Sequence, residues 1–173
     1  MTLLSIVQRA APEIGIPVPS TVIGNTNESV KQLRYMAEAI GFELMQEYNW
    51  QVLTKEASFT SVATESQGSL SSAASDFHRF INQTMYDRTR TWEMMGPLNA
   101  QQWQYLKGTT AQSVQNFFRI RGNLILMNPV PPAGNTIKFE YISNQWSETS
   151  AGAGQTTFAA DTDEFKFDDE VVR

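Results

Sequence analysis

With 173 residues and 19.5 kDa the chain has the size of one domain, and 41 % apolar residues suffice for one core. It has no cysteine and one histidine, His78, which excludes disulfide scaffolds, thiolate metal centres, cysteine nucleophiles and any relay needing two imidazoles. The net charge of −5 lies entirely at the C-terminal end: residues 1–147 balance eleven acidic against eleven basic side chains, while 148–173 carry seven against two, so no basic stripe favours nonspecific nucleic-acid binding.

The start, MTLLSIVQRA, lacks a basic region and a long apolar run, so it does not read as a secretory signal. No apolar run approaches the ~20 residues that span a bilayer. The expectation is a soluble protein kept in a cytosol-like setting. Thr2 reads as an N-cap, and Leu3, Leu4, Val7, Ala10, Ala11 and Ile14 recur at helical spacing, with Pro12 inside the pattern kinking or ending the helix near Ala11. The strongest helix spans Asn27–Tyr48, capped by Asn27, with a seam of Val30, Leu33, Ala37, Ile40 and Leu44. Met36, Phe42 and Met45 lie off that seam, and Gly41 sits in mid-helix. Two readings fit: a central helix of one domain, or a helix shared with a second subunit.

Leu53–Ala63 alternates as a strand, with Leu53, Ala57, Phe59 and Ser61 on one side. Residues 61–75, with six serines, read as a surface loop. Met85–Gly96 mixes β-formers, charges and methionine and matches neither period. Asn99 with Gln102 forms a capping box for a short helix ending at Gly108. Residues 116–143 are the clearest β region: Phe118 and Ile120 alternate, Gly122-Asn123 turns, Leu124–Met127 returns, and Thr136–Ser143 alternates again. With Leu53–Ala63 these make a small antiparallel sheet. Residues 147–160 read as a linker and 161–173 as an acidic tail, in which Asp168 could cap the start of a C-terminal helix. The order read from the residues is α+β: helices over 1–48, a β-rich region over 50–146 and, after the linker, a helix start.

No phosphate loop, dinucleotide fingerprint, nucleophile elbow or zinc-protease motif is present. His78, in DFHRF, has no nucleophile or orienting partner at a readable spacing. Asp161-x-Asp163-Glu164 is a fragment of a calcium loop without its glycine or terminal glutamate. Glu140 and Glu148 are carboxylates that nothing places across a cleft. Trp50, Trp92, Trp103 and Trp146 stand at element boundaries, as core edges or as interface residues.

The blocks TLLSIVQRA, IGIPVPSTVIGN, ESVKQLRYMAEAIGFELMQEYNWQVLTKEASF, MYDRTRTWEMMGPLNAQQWQYLKG and FFRIRGNLILMNPVPPAGNTIKFEYISNQW occur in this order over residues 2–147. In them the chain resembles the head-to-tail adaptor (connector) proteins of tailed bacteriophages, of the tail accessory factor type found in short-tailed phages. The resemblance implies a helical bundle with an inserted small antiparallel β-sheet. It implies a homo-oligomeric ring of twelve copies, located at the head–tail junction of the virion after synthesis in the host cytoplasm. The ring would join the portal protein to the next tail component, a nozzle or tail tube. Viral DNA would pass through its channel without sequence-specific contact, and no membrane, cofactor, metal or catalytic step is implied.

A closed ring needs two distinct sticky surfaces per chain. Met36, Phe42, Met45, Trp92, Trp103 and Trp146 are the subunit-interface candidates. The tail supplies portal-docking candidates: Phe165, Phe167, Asp168, Asp169, Val171 and Val172. Two other functions compete: a virion-associated cell-wall hydrolase, needing a carboxylate pair, and a β-rich module binding a glycan or peptide.

Overall fold

The computed structural model describes residues 1–108 and 115–168. The chain forms two compact units, Met1–Thr54 with Ser143–Arg173, and Lys55–Ile142. Among the described residues the helices α1 (Leu3–Glu13) and α2 (Glu28–Glu47) come first. There follow β1 (Thr54–Thr60), β2 (Ser66–Ser69), the short helix α3 (Leu70–Ala73), β3 (Phe77–Phe80), β4 (Tyr86–Asp87) and β5 (Trp92–Met95). After α4 (Ala100–Gly108) come β6 (Asn116–Arg121), β7 (Leu124–Asn128), β8 (Thr136–Ser143), β9 (Ser147–Glu148), β10 (Gly154–Gln155) and β11 (Glu164–Phe165).

The expected helical bundle with a small inserted antiparallel sheet is therefore wrong. The protein is mostly β, built on one eight-stranded sheet among the described residues, in the order β1-β8-β4-β5-β6-β7-β2 with β3 also paired to β8. The sheet is mixed, because β5 and β6 run parallel, Met94 facing Asn116 and Met95 facing Phe117. The excess strands come from segments without a readable period. The serine-rich stretch read as a loop supplies β2 and α3, and it buries Leu70 and Ala74. Its serines serve as local caps: the Ser69 hydroxyl accepts the Ser72 N–H at 3.2 Å.

In the first unit, α1 starts where Thr2 Oγ1 accepts the Ser5 N–H, at 3.3 Å, and it runs through Pro12 to Glu13, two residues past the expected end. Its free N-terminal amides are met from the far end of the chain. Leu3 N–H donates to the Asp163 carbonyl at 2.8 Å and Leu4 N–H to the Asp161 carbonyl at 3.1 Å. Helix α2 is capped by Asn27, whose Oδ1 accepts the Ser29 N–H at 2.9 Å. Its C-terminal end is met by an indole: Trp50 Nε1 donates to the Leu44 carbonyl at 2.6 Å. The buried seam of α2 is Val30, Leu33, Ala37, Gly41 and Met45. It rotates away from the expected one: Gly41 faces inward and Ile40 faces out.

The cause of that rotation is an aromatic cluster. A Cβ on Gly41 would sit 2.5 Å from two carbons of the Trp146 ring and 2.8 Å from Phe165, so only glycine lets the ring lie on the helix backbone. Trp146 meets Phe158 at 5.1 Å and Phe165 at 5.4 Å, and Phe158 meets Phe165 at 4.9 Å, edge to face. Phe167 lies 5.3 Å from Trp50. The segment read as a linker carries β9 and β10, which with β11 form a second sheet in the order β10-β9-β11.

In the second unit the Gly122-Asn123 hairpin forms as read. Gly122 adopts φ +61°, and the register pairs Phe118 with Met127, Ile120 with Ile125 and Arg121 with Leu124. The expected meander does not continue into β8. Strand β7 pairs instead with β2, and β8 pairs with β4, Asp87 facing Ile137. The run Pro129-Val130-Pro131-Pro132 separates β7 from β8, and with one amide N–H in four residues it cannot supply a tight ladder-closing turn. The core holds Met85, Met94, Phe118, Ile125, Met127, Ile137, Phe139 and Tyr141, with Phe80 stacked on Phe139 at 5.4 Å.

Candidate interaction surface

Once its inner seam is fixed at positions 30, 33, 37, 41 and 45, the 100° step of α2 turns Tyr35, Met36, Ala39, Ile40 and Phe42 outward. These side chains are large and apolar apart from Ala39, and they are exposed: Tyr35 63 %, Met36 60 %, Ile40 47 % and Phe42 51 %. The side of α2 away from its inner seam therefore carries exposed apolar side chains. The charges follow the same division. Glu28 pairs with Lys31 at 2.8 Å and Glu38 with Arg34 at 3.1 Å. Further along, Glu43 and Glu47 occupy the C-terminal part of α2, which has no basic residue in its last turn.

In the second unit the turn between β4 and β5 presents Trp92, 49 % exposed, with the Arg90 guanidinium 5.3 Å above its ring. Asp87 is buried and organises this turn. Its Oδ1 accepts the N–H groups of Thr89 and Arg90 at 2.9 and 3.0 Å, and its Oδ2 accepts from Asn135 Nδ2 at 2.7 Å. Thr91 is held at φ +57°, a region that a β-branched residue rarely enters, while its carbonyl accepts the Tyr86 hydroxyl at 2.8 Å. On one side of Trp92 a groove of about 300 Å³ runs against Pro129–Pro132 and Asn135. On its other side a groove of about 500 Å³ is lined by Tyr86, Glu93, Met95 and Asn116.

The sequence-derived interface set divides in the structure. Met36, Phe42 and Trp92 are exposed, whereas Met45, Trp103 and Trp146 are buried within the subunit. Among the docking candidates, Phe165 and Phe167 are buried in the aromatic cluster and Asp168 is exposed. Asp169, Val171 and Val172, with the expected helix start, lie outside the described residues. Tyr35 and Ile40 were not singled out as interface residues. The signal for them is the phase of α2, which is readable only once Gly41 is placed on the inner seam.

Two of the acidic groups weighed for chemistry, Asp161 and Asp163, hold backbone amides. Asp161 Oδ1 accepts the N–H groups of Val22 and Ile23 at 3.1 and 2.7 Å, and Asp163 Oδ2 accepts those of Ala159 and Ala160 at 2.7 and 2.8 Å. Asp76 is buried and accepts the Tyr141 hydroxyl at 2.6 Å and Lys55 Nζ at 2.5 Å. Burial, then the Asp76 hydrogen bond, holds the Tyr141 hydroxyl protonated far above the usual tyrosine range. Burial, with the neighbouring Arg79 charge, pushes His78 below the usual histidine value. Among the described residues no three His, Asp or Glu side chains are grouped to hold a metal ion, and no helix is long and apolar enough to cross a membrane.

No curated protein matches the chain. Residues 1–170 match the family model described as SU10 adaptor protein. With a match over nearly its whole length, this chain belongs to the SU10 adaptor family and is a structural adaptor of the bacteriophage virion.

Proposed function

We propose that the protein assembles into a ring at the head–tail junction, of the tail accessory type of short-tailed phages, joining the portal to the next tail component and extending the DNA channel. The observation that carries this reading is the exposed apolar face of α2 in a chain whose family works by contact. Burying the exposed remainder of Tyr35, Met36, Ile40 and Phe42 against a neighbour would contribute roughly 1 kcal/mol apiece, ample for a contact repeated around twelve copies. The balanced charge of residues 1–147 suits a passage through which DNA slides without being gripped. Portal attachment falls to the acidic end from Asp168 onward. Phe165 and Phe167 act there as internal anchors that fix the root of that end within the subunit. The adaptor reading needs no cofactor and no catalytic step.

Particles produced without this protein test the reading. It predicts DNA-filled heads that lack tails and recover them when the purified protein is added. Normally tailed particles would refute it.

A further inference from the structure

Two surfaces of this chain are each unfinished in a way that the other completes. One strip of the outer side of α2 sets Met36 and Ile40 beside two carboxylates, Glu43 and Glu47. Those carboxylates stand at the negative end of the helix dipole, where each is disfavoured unless a cation comes near. Among the described residues neither takes part in an ion pair, in contrast to Glu28 and Glu38 on the same helix. The turn between β4 and β5 offers the reverse: an exposed indole, an apolar groove floored by prolines and, at its lip, Arg90, which among the described residues has no carboxylate partner. Asp87, the acid beneath the turn, is occupied by three N–H donors, and Glu93 is the opposing charge on the far side of Trp92.

The charge of the whole chain is sorted the same way. The unit that contains α2 carries twelve acidic and five basic side chains, and the unit that contains Trp92 carries six acidic and eight basic. The strained Thr91 and the hydrogen bonds that hold it keep Arg90 and Trp92 in one presentation, which lowers the ordering cost of any contact made there.

We propose that the outer face of α2 in one copy seats on the Arg90–Trp92 edge of the next copy, with an apolar side chain of α2 in the proline-floored groove and Glu43 or Glu47 against Arg90. The contact is heterologous, one surface meeting a different surface, and so propagates from copy to copy. This pairing rests on the ring reading above and names the two surfaces that would build the ring.

Charge reversal in the full-length chain tests it, read by sedimentation over concentrations up to about 1 mM. Glu43→Arg with Glu47→Arg, and separately Arg90→Glu, are each expected to weaken self-association by about tenfold or more while the thermal transition stays in place. A mixture of the two reversed proteins should recover association, because the reversed α2 face then meets a reversed edge and the native face meets a native edge. Recovery in the mixture cannot come from misfolding of either variant. Wild-type association that neither reversal weakens would overturn the pairing and leave the ring reading standing, built through other surfaces. An unassociated wild-type protein across that range would also overturn the pairing, while the tailless-particle experiment decides the ring reading separately.

Discussion

The two units of this protein solve the same problem, covering apolar surface, by opposite routes. The unit of residues 1–54 and 143–173 is closed by chain ends that are remote in sequence. Carbonyls of Asp161 and Asp163 receive the first amides of α1, and Trp146, Phe158 and Phe165 lie ring against ring under Gly41. The unit of residues 55–142 is one continuous stretch of chain held by strand ladders and the β6–β7 hairpin. In the first, Trp146, Phe158 and Phe165 are spent inside, and exposed apolar side chains of α2 are left over. In the second, the ladder satisfies the backbone and leaves a tryptophan and an arginine at a turn. Aromatic content alone therefore does not mark a contact surface. What marks it is an aromatic side chain left out after the local closure is complete.

The largest effect should come from removing residues 161–173. That deletion takes away Phe165, Phe167 and both carbonyl acceptors of α1, so the near-ultraviolet circular dichroism of the tryptophans and the cooperative transition of the first unit should be lost. A truncated protein with the wild-type transition would show that the C-terminal segment is a detachable tail after all.

Next in size is a matched pair of tryptophan truncations. Trp146→Ala should cost about 3–5 kcal/mol in thermal or denaturant unfolding, as buried aromatic truncations do. Trp92→Ala, on a half-exposed ring, should cost under about 1 kcal/mol yet reduce self-association. Equal stability losses would erase the distinction drawn between the units.

For Gly41→Ala two opposing effects set the sign. Helix propensity alone favours alanine by ~1 kcal/mol. A methyl group 2.5 Å from a buried indole forces overpacking that costs about 1–3 kcal/mol. The expected result is a net loss of stability, and a more stable variant would mean that Trp146 does not lie on this turn of α2.

The smallest effect concerns pH and the second unit. The fold holds His78 below its ordinary pKa, chiefly through burial, so the native state favours the neutral ring. The unfolded chain then takes up this proton first. Stability should be flat above about pH 7, fall as the pH drops through ~6.5, and level off again below the folded pKa. His78→Gln should flatten that slope in denaturant titrations.

What could be read from the residues was what is encoded locally. The caps at Thr2 and Asn27, the capping box of Asn99 with Gln102 and the Gly122 turn each need only a few neighbouring residues, and each forms. The fold class could not be read that way. Strands such as β4 and β11 are two residues long, too short for a period, and exist because remote segments supply their hydrogen-bond partners. The same limit explains the surfaces. Phe165 and Phe167 look like free anchors in a short acidic end, and only the distant Trp50 and Trp146 show that they are interior. The apolar excess of α2 was legible, and Met36 and Phe42 lie outward, but the helix phase depended on a ring stacked on Gly41 from more than a hundred residues away.

Contact through α2 is decided by the accessibility of its outer side in free and assembled protein. The chain has no cysteine, so Met36→Cys introduces a unique thiol. Rapid maleimide labelling is expected in the free subunit, with strong protection of the same thiol in purified phage particles. Equal labelling rates in the two states would contradict contact through α2.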